Sequence, residues 1–253
     1  VKSKHLFTDY QNGLHNYFSC LPIIFALMPQ IIPHSIHHHT FLLSSDKCIF
    51  WEERNILILS DLHFGKTGHF RKNGIAVPQN VFKEDMQLFV SLLQQFKPDS
   101  VIVIGDMFHS RDNKEHELFV KWRKDFEQLT IQLVMGNHDI LHRNWYQNAG
   151  IGLIDNCYDM EDICFVHDVA DSELKEGKFY FSGHIHPAIS IYSGAKQSVH
   201  LPCFYFTDQY AVLPAFGKFT GTYPVKPKRG DHVFAIMPVN HQKKEAGGLI
   251  KVF

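Results

Sequence analysis

The sequence has no pair of cysteines at CxxC spacing. Its five cysteines in 253 residues, Cys20, Cys48, Cys157, Cys164 and Cys203, are scattered, which excludes thiolate zinc ribbons, thioredoxin-type motifs and a disulfide-framed scaffold. An odd number leaves one unpaired in any disulfide scheme, so the expected compartment is reducing, the cytoplasm. Also missing is an uncharged apolar stretch of about 18 residues, so no bilayer-spanning helix and no membrane partner are expected. Excess charge of one sign is missing as well. The 25 Lys and Arg against 26 Asp and Glu leave a net charge of −1, so the chain is no polycation built to coat nucleic acid, and any such contact must come from a local patch. Fixed-period repeats and low-complexity tracts are absent. With 45% hydrophobic and 20% charged residues, the composition is that of a globular protein and excludes disorder, collagen and coiled coil.

Histidine, by contrast, is abundant: there are 18, several beside Asp or Gly at the ends of apolar runs. Metal chemistry is therefore the first thing to look for.

The N-terminus resembles a signal peptide only loosely. Lys2 and Lys4 precede the apolar run Tyr17 to Met28, but Pro22 interrupts it and no A-x-A site follows. Residues 1–35 are expected to be a poorly ordered extension, or a read-through segment ahead of a natural start at Met28, and residues 36–253 to form the domain. The regular pattern begins with a hairpin signal, Phe41 to Leu43 and Cys48 to Trp51 around Ser44-Ser45-Asp46-Lys47. Ile56 to Leu59 is wholly apolar and stops at Ser60-Asp61, as a strand buried on both faces reads. Val101 to Ile104, Ile131 to Met135, Ile163 to Val166 and Phe179 to Phe181 repeat that form.

Between the first three such runs lie two helical patterns. One starts near Pro78, with Val81, Met86, Phe89, Val90, Leu93 and Phe96 on its apolar face, and ends before Pro98. The other runs from about Asn113 to Leu129, with Leu118, Phe119, Trp122, Phe126 and Leu129 as its buried stripe. This alternation predicts a mostly parallel sheet. After Pro187 the runs become strand-like, at Ile189 to Tyr192, Val199 to Phe206, Ala211 to Leu213, Val233 to Met237 and Leu249 to Val252. One α/β domain is expected, its second half supplying a second, largely antiparallel sheet.

In open α/β sheets ligands bind beyond the carboxyl ends of the strands. Five such ends carry Asp61 and His63, Asp106, Asn137 and His138, His167, and His184 with His186. Any one of these alone reads as a turn, a cap or a hydrogen-bonded histidine. Together they form a ligand set, and the glycines before Asp106, Asn137 and His184 let backbone approach a shared centre. Carboxylates, an amide and imidazoles without thiolate suit Mn²⁺, Fe, Zn²⁺ or Mg²⁺. They are too many for one ion and enough for two if one carboxylate bridges. Two ions about 3.5–4 Å apart are the arrangement that clamps attacking and leaving oxygens in phosphoryl transfer.

Asp61-Leu62-His63, Gly105-Asp106, Gly136-Asn137-His138-Asp139, His167 and Gly183-His184-Ile185-His186, in this order, resemble the calcineurin-like metallophosphoesterase superfamily over roughly Phe41 to Phe253. The resemblance implies a four-layer αββα sandwich of two mixed sheets flanked by helices. It implies one metal on Asp61, His63, Asp106 and His186, and a second on Asp106, Asn137, His167 and His184. His138 matches the histidine that faces the substrate phosphate, and Asp139 the carboxylate that orients it.

Asp61 to Lys66, Phe70-Arg71, Val77-Pro78, Gly105 to Ser110, Leu201 to Phe204, Leu213 to Gly217 and Phe219 to Gly221 are further similar to the bacterial ligase-associated DNA damage response endonucleases (PdeM). That likeness implies a Mn²⁺-dependent phosphodiesterase acting on DNA in repair, with a ligase or helicase as companion proteins. Residues 1–35 match nothing expected of that group.

Lys66, Arg71, Lys72 and Lys83 follow the first ligand cluster with no acid among them. Lys66, Arg71 and Lys72 therefore read as candidate phosphate contacts to single-stranded or locally open DNA. His109 is a candidate substrate contact or a helix cap. Three rival readings stay open. A phosphoesterase for a small or cyclic nucleotide shares every motif and differs in substrate. A Ser/Thr protein phosphatase would carry Asp-Arg-Gly where Phe108-His109-Ser110 stands. A non-catalytic scaffold of the same fold would lose ligands, and all are present.

Overall fold

The computed structural model describes residues 29–66, 80–109, 114–192, 198–238 and 247–253. Residues 1–28, Arg71, Lys72 and Pro78 lie outside the described residues.

Seven strands form the first sheet in sequence order: β1 (Ile31–Ile36), β2 (His39–Ser44), β3 (Cys48–Trp51), β4 (Ile56–Ser60), β5 (Ser100–Ile104), β6 (Thr130–Val134) and β7 (Ile151–Ile154). β1 to β4 pair antiparallel and β4 to β7 parallel. The second sheet holds β8 (Cys157–Met160), β9 (Ile163–Val166), β10 (Phe179–Ser182), β11 (Pro187–Tyr192), β12 (Ser198–Phe206), β13 (Tyr210–Val212), β14 (Tyr223–Pro224), β15 (His232–Met237) and β16 (Gly248–Lys251). Its order is β14-β11-β12-β13-β10-β9-β8, with β15 on β12 and β16 on β15. Both sheets are mixed. β1 was not expected, and it begins ahead of the anticipated domain start at Ile36, because Pro33 and the following histidines mask its alternation.

Side-chain alternation accounts for the layering. On β4, Ile56 and Ile58 join Ile102 and Ile104 of β5 in a core facing Phe165, Phe181 and Phe204 of the second sheet. Leu57, Leu59, Val101 and Val103 point the other way, into a core with Phe82, Phe89, Leu92 and Leu93 of α1 (Val81–Phe96), Phe119 of α2 (Lys114–Asp125) and Tyr146 of α3 (Arg143–Asn148). In the inter-sheet core Phe181 is wholly buried, stacked on Phe165 at 5.7 Å and tilted against Phe41 at 4.8 Å. Truncating such a ring to Ala costs about 3–5 kcal/mol.

α1 ends where Lys97 turns left-handed at φ 48° and its amide closes on the Leu93 carbonyl, just ahead of Pro98. α2 departs from expectation at Leu118, which is 51% exposed. The buried face of α2 runs through Glu115, His116, Phe119 and Arg123, and Leu118 lies one residue, about 100°, round from Phe119.

The two mixed sheets pack face to face as the sandwich the resemblance implied. Among the described residues, all three helices cover the first sheet. The outer face of the second carries a small cluster of Cys164, Val166 and Tyr180 packed by Val169 and Leu174. Cys157 and Cys164 form a disulfide between β8 and β9. Their scattered spacing gave no sign of this, because the hairpin alone brings them within reach. Cys48 and Cys203 are buried thiols.

Parallel register lines up the strand ends that matter. Ser60 pairs with Ile104, and Ile104 with Val134, so the loops after β4, β5 and β6 leave the sheet side by side. In the second sheet β9 and β10 are parallel neighbours, which brings the segments after them together as well.

Candidate metal centre

Backbone hydrogen bonds extend the sheet past its strands. The His63 amide donates to Asp106 O at 2.8 Å, Phe64 to Met107 O at 3.0 Å, and His109 to Phe64 O at 2.7 Å. The loops carrying Asp61-His63 and Asp106 are thereby laced together. Residues 213–217 tie the two sheets at the same end: Leu213 donates to Ser182 O at 2.8 Å, Phe216 to Ser60 O at 2.9 Å and Gly217 to Asp61 O at 3.2 Å. A Cβ on Gly217 would sit 2.5 Å from the Leu62 carbonyl. Only glycine permits this lacing, and the Leu-Pro-Ala-Phe-Gly run acquires a structural reason.

Asp61, His63, Asp106, His184 and His186 all have φ between 48° and 67°. Non-glycine residues in this left-handed region cost about 1–2 kcal/mol each. So many together mean that the surrounding pairing imposes the strain, as happens at functional sites. Glycines clear the space between them. A Cβ on Gly105 would fall 1.8 Å from His167 Nδ1, one on Gly136 2.3 Å from Asp106 Oδ1, and one on Gly183 2.4 Å from Asp61 Oδ2.

The donor atoms gather in two groups. His186 Nε2 lies 3.3 Å from both His63 Nε2 and Asp61 Oδ1, and His63 Nε2 lies 3.8 Å from Asp106 Oδ2. In the second group, His167 Nε2 lies 3.0 Å from Asn137 Oδ1, 3.1 Å from His184 Nδ1 and 3.6 Å from Asp106 Oδ1. Asp106 thus turns one oxygen to each group.

The chemistry of these atoms fits a cation. His186 Nδ1 meets the Gly221 carbonyl at 2.9 Å. A carbonyl only accepts, so Nδ1 carries the proton and Nε2 presents its lone pair to an anionic oxygen and to a second imidazole. Such an arrangement is repulsive until a proton or a metal ion enters. The His186 pKa registers this: burial alone would lower it, but the Asp61 carboxylate outweighs burial and raises it. His63 behaves oppositely. Burial first, then the positive charge of Lys66 and the neighbouring imidazoles, pulls it to about 2, which keeps it in the neutral form that ligates metal. His63 Nδ1 and His167 Nδ1 are buried with no hydrogen-bond partner, so each ring acts through Nε2. Asp61, His63 and His186, and Asp61, Asp106 and His167, are groups able to hold a metal ion.

The seven residues singled out in the sequence therefore lie close together, with Asp106 between the two gatherings of donor atoms. His138 is exposed, its ring 4.7 Å from His109 and 5.5 Å from His63. The His109 ring also lies 5.7 Å from that of His63, so the three imidazoles gather beside the ligand cluster. Lys66 is half-buried beside Asp61 and Asp106. Burial lowers its pKa, and the two carboxylates oppose that shift.

Asp139 departs from the expected role. Its oxygens accept from the amides of Gly136 at 2.9 Å and Phe108 at 3.2 Å, so it fixes the loops that present His138 rather than the His138 ring. Burial pushes its pKa up to about 7, against the pull of those amides. Sequence reasoning missed Ser60, whose hydroxyl bonds to Asp61 and to the Ile104 carbonyl. It also missed Asp168, 3.6 Å from His184 Nε2, although the His-Asp dipeptide at the end of β9 was a usable signal.

A family model for calcineurin-like phosphoesterases matches residues 54–181, a span that includes Asp61, His63, Asp106, Asn137 and His167 and stops just short of His184. Among solved structures, the nuclease MPE of Pseudomonas putida is similar with a TM-score of 0.70 and 24% identity, over 81% of this chain and 96% of that one. Yfce, a phosphoesterase from E. coli, aligns at a TM-score of 0.37 and 11% identity, over 71% of this chain and 86% of that one. No curated protein matches. Among the described residues no helix is long and apolar enough to cross a membrane.

Proposed function

Because this chain belongs to the calcineurin-like phosphoesterase family, a family of metal-dependent hydrolases acting on ester bonds, we propose that it is a phosphodiesterase with a dinuclear centre, most at home with Mn²⁺, that cleaves DNA. The observation that carries the reading is the division of Asp106, with Oδ1 toward His167 and Oδ2 toward His63. Asp61, His63, Asp106 and His186 would hold one ion, and Asp106, Asn137, His167 and His184 the other.

Divalent ions there supply a Lewis acid and lower the pKa of water. The chain's own groups do the rest. The Asp139 carboxylate anchors Gly136 and Phe108, which sets the height of His138 over the ligands. His138, exposed and unhindered, protonates the leaving oxygen or stabilises transition-state charge. Lys66, drawn inward by Asp61 and Asp106, offers a cation to a phosphate oxygen, and His109 lines the same approach. Arg71 and Lys72 follow Lys66 along the chain and are proposed to engage neighbouring phosphates of single-stranded or locally open DNA, in the setting of cytoplasmic repair alongside a ligase or helicase.

The test supplies metal-free protein with each divalent ion in turn and offers single-stranded DNA, duplex DNA, a bis-aryl phosphodiester, an aryl monophosphate and cyclic nucleotides. The expected order places diesters over monoesters and open DNA over duplex. Arg71→Ala/Lys72→Ala should flatten the salt dependence of DNA binding by roughly 0.7 per lost phosphate contact while leaving hydrolysis of the small diester nearly unchanged. Strong hydrolysis of a cyclic nucleotide with none of DNA would assign the enzyme to small nucleotides instead.

A further inference from the structure

A second cluster of ligand-type side chains lies far from this centre. Asp162 precedes β9 whereas His167 follows it, so the two sets sit at opposite ends of one strand. There the turn between β1 and β2, His37-His38, meets the turn between β8 and β9, Glu161-Asp162. The two hairpins belong to different sheets.

His39 Nε2 lies 2.9 Å from Asp162 Oδ1 and 3.9 Å from Glu161 Oε2, and His38 Nδ1 lies 3.9 Å from Asp162 Oδ2. His37 Nδ1 is within 2.5 Å of Asp162 Oδ2. Arg54 pairs with the other oxygen of Glu161, Oε1, and leaves Oε2 facing His39. One donor atom from each of His38, His39, Glu161 and Asp162 falls within 4.8 Å of all the others.

His39 is 3% exposed, and its Nδ1 is buried without a partner. Whatever this imidazole does, it does through Nε2, which is aimed into the cluster. In a tetrahedral zinc site with bonds of about 2.0–2.1 Å, ligand atoms stand roughly 3.3 Å apart, and the separations here lie on either side of that value. Imidazole nitrogens and carboxylate oxygens without thiolate suit a borderline dication.

We infer that His38, His39, Glu161 and Asp162 form a separate Zn²⁺-class site that clips the first sheet to the second. The site is structural, since it lies at the far end of β9 from His167, and it stands independently of the proposed substrate.

The experiment uses the full chain carrying Asp61→Asn and Asp106→Asn, which weakens both ligand groups at the catalytic end. Co²⁺ and Zn²⁺ are titrated while ions per chain, the Co²⁺ absorption spectrum and the melting temperature are followed. One ion per chain is expected to remain, with a Zn²⁺-dependent rise in melting temperature. Adding His38→Ala, at a side chain 71% exposed and so unable to unfold the domain, should weaken that ion by at least about tenfold. Asp162→Asn should abolish it.

In the otherwise unaltered chain, His38→Ala should lower the ion count by one and leave hydrolysis of the small diester unchanged, a readout that holds even if the double variant folds poorly. No residual ion, or uptake indifferent to both His38→Ala and Asp162→Asn, would reduce the cluster to a hydrogen-bonded His-Asp network and overturn the assignment.

Discussion

The backbone amide of His138 donates to Asp106 Oδ1 at 2.8 Å. That bond couples an exposed histidine to the carboxylate whose two oxygens point toward His63 and His167. A displacement of either is transmitted to the other, and the two can still be separated by mutation because one acts through its charge and the other through its ring.

Asp106→Asn keeps the amide contact and removes the shared charge. Elemental analysis should find both ions depleted, whereas Asp61→Asn should chiefly deplete one. Full double occupancy with normal turnover in Asp106→Asn would contradict a bridging role.

His138→Ala should retain both ions and lose on the order of 10²–10⁴-fold in turnover, the span ascribed to a positioned acid or base. The ring is exposed, so stability should hardly change. Loss of metal in this variant would move His138 into the ligand set.

Gly136→Ala places a methyl 2.3 Å from Asp106 Oδ1 and 2.5 Å from the Asp106 amide. Backbone cannot yield as a flexible side chain would, so the carboxylate must move. The expected cost is about 1–3 kcal/mol of stability with a fall of roughly 10–100-fold in metal affinity. Calorimetric titration with Mn²⁺ and thermal melting measure the two effects. Unchanged affinity would show that Asp106 has slack.

Asp85 on α1 gives a pH dependence separate from the metals. Burial raises its pKa from 3.8 to about 7, opposed by the amide and charge of Lys218 and then by Lys47. Between those values the folded chain holds a proton that the unfolded chain releases. The contribution is therefore complete below pH 3.8 and is lost as pH climbs through about 7. Urea midpoints followed across that window should fall more steeply with pH for the natural chain than for Asp85→Asn, which carries no charge to bury. Parallel slopes would show that Asp85 is solvated in the folded state.

Much of this protein was settled by short stretches of sequence. Ile-Leu-Ile-Leu ending in Ser-Asp is a strand buried on both faces with a turn at its carboxyl end because apolar runs and turn residues act locally, within a few bonds of each other. The ligand types and the glycines that make room for them were legible for the same reason. What only the tertiary structure decided were relationships across long separations: that Asp106 divides its oxygens between His63 and His167, that Asp139 serves backbone and not the His138 ring, that residues 213–217 lace the second sheet to Asp61, and that Leu118 points outward. β1 with its histidine turn, and the meeting of that turn with Glu161-Asp162, belong to the same class. Each depends on strand register and on the facing of two sheets. Those are fixed by the packing of Phe41, Phe165 and Phe181 against one another, and no local pattern of residues carries that information.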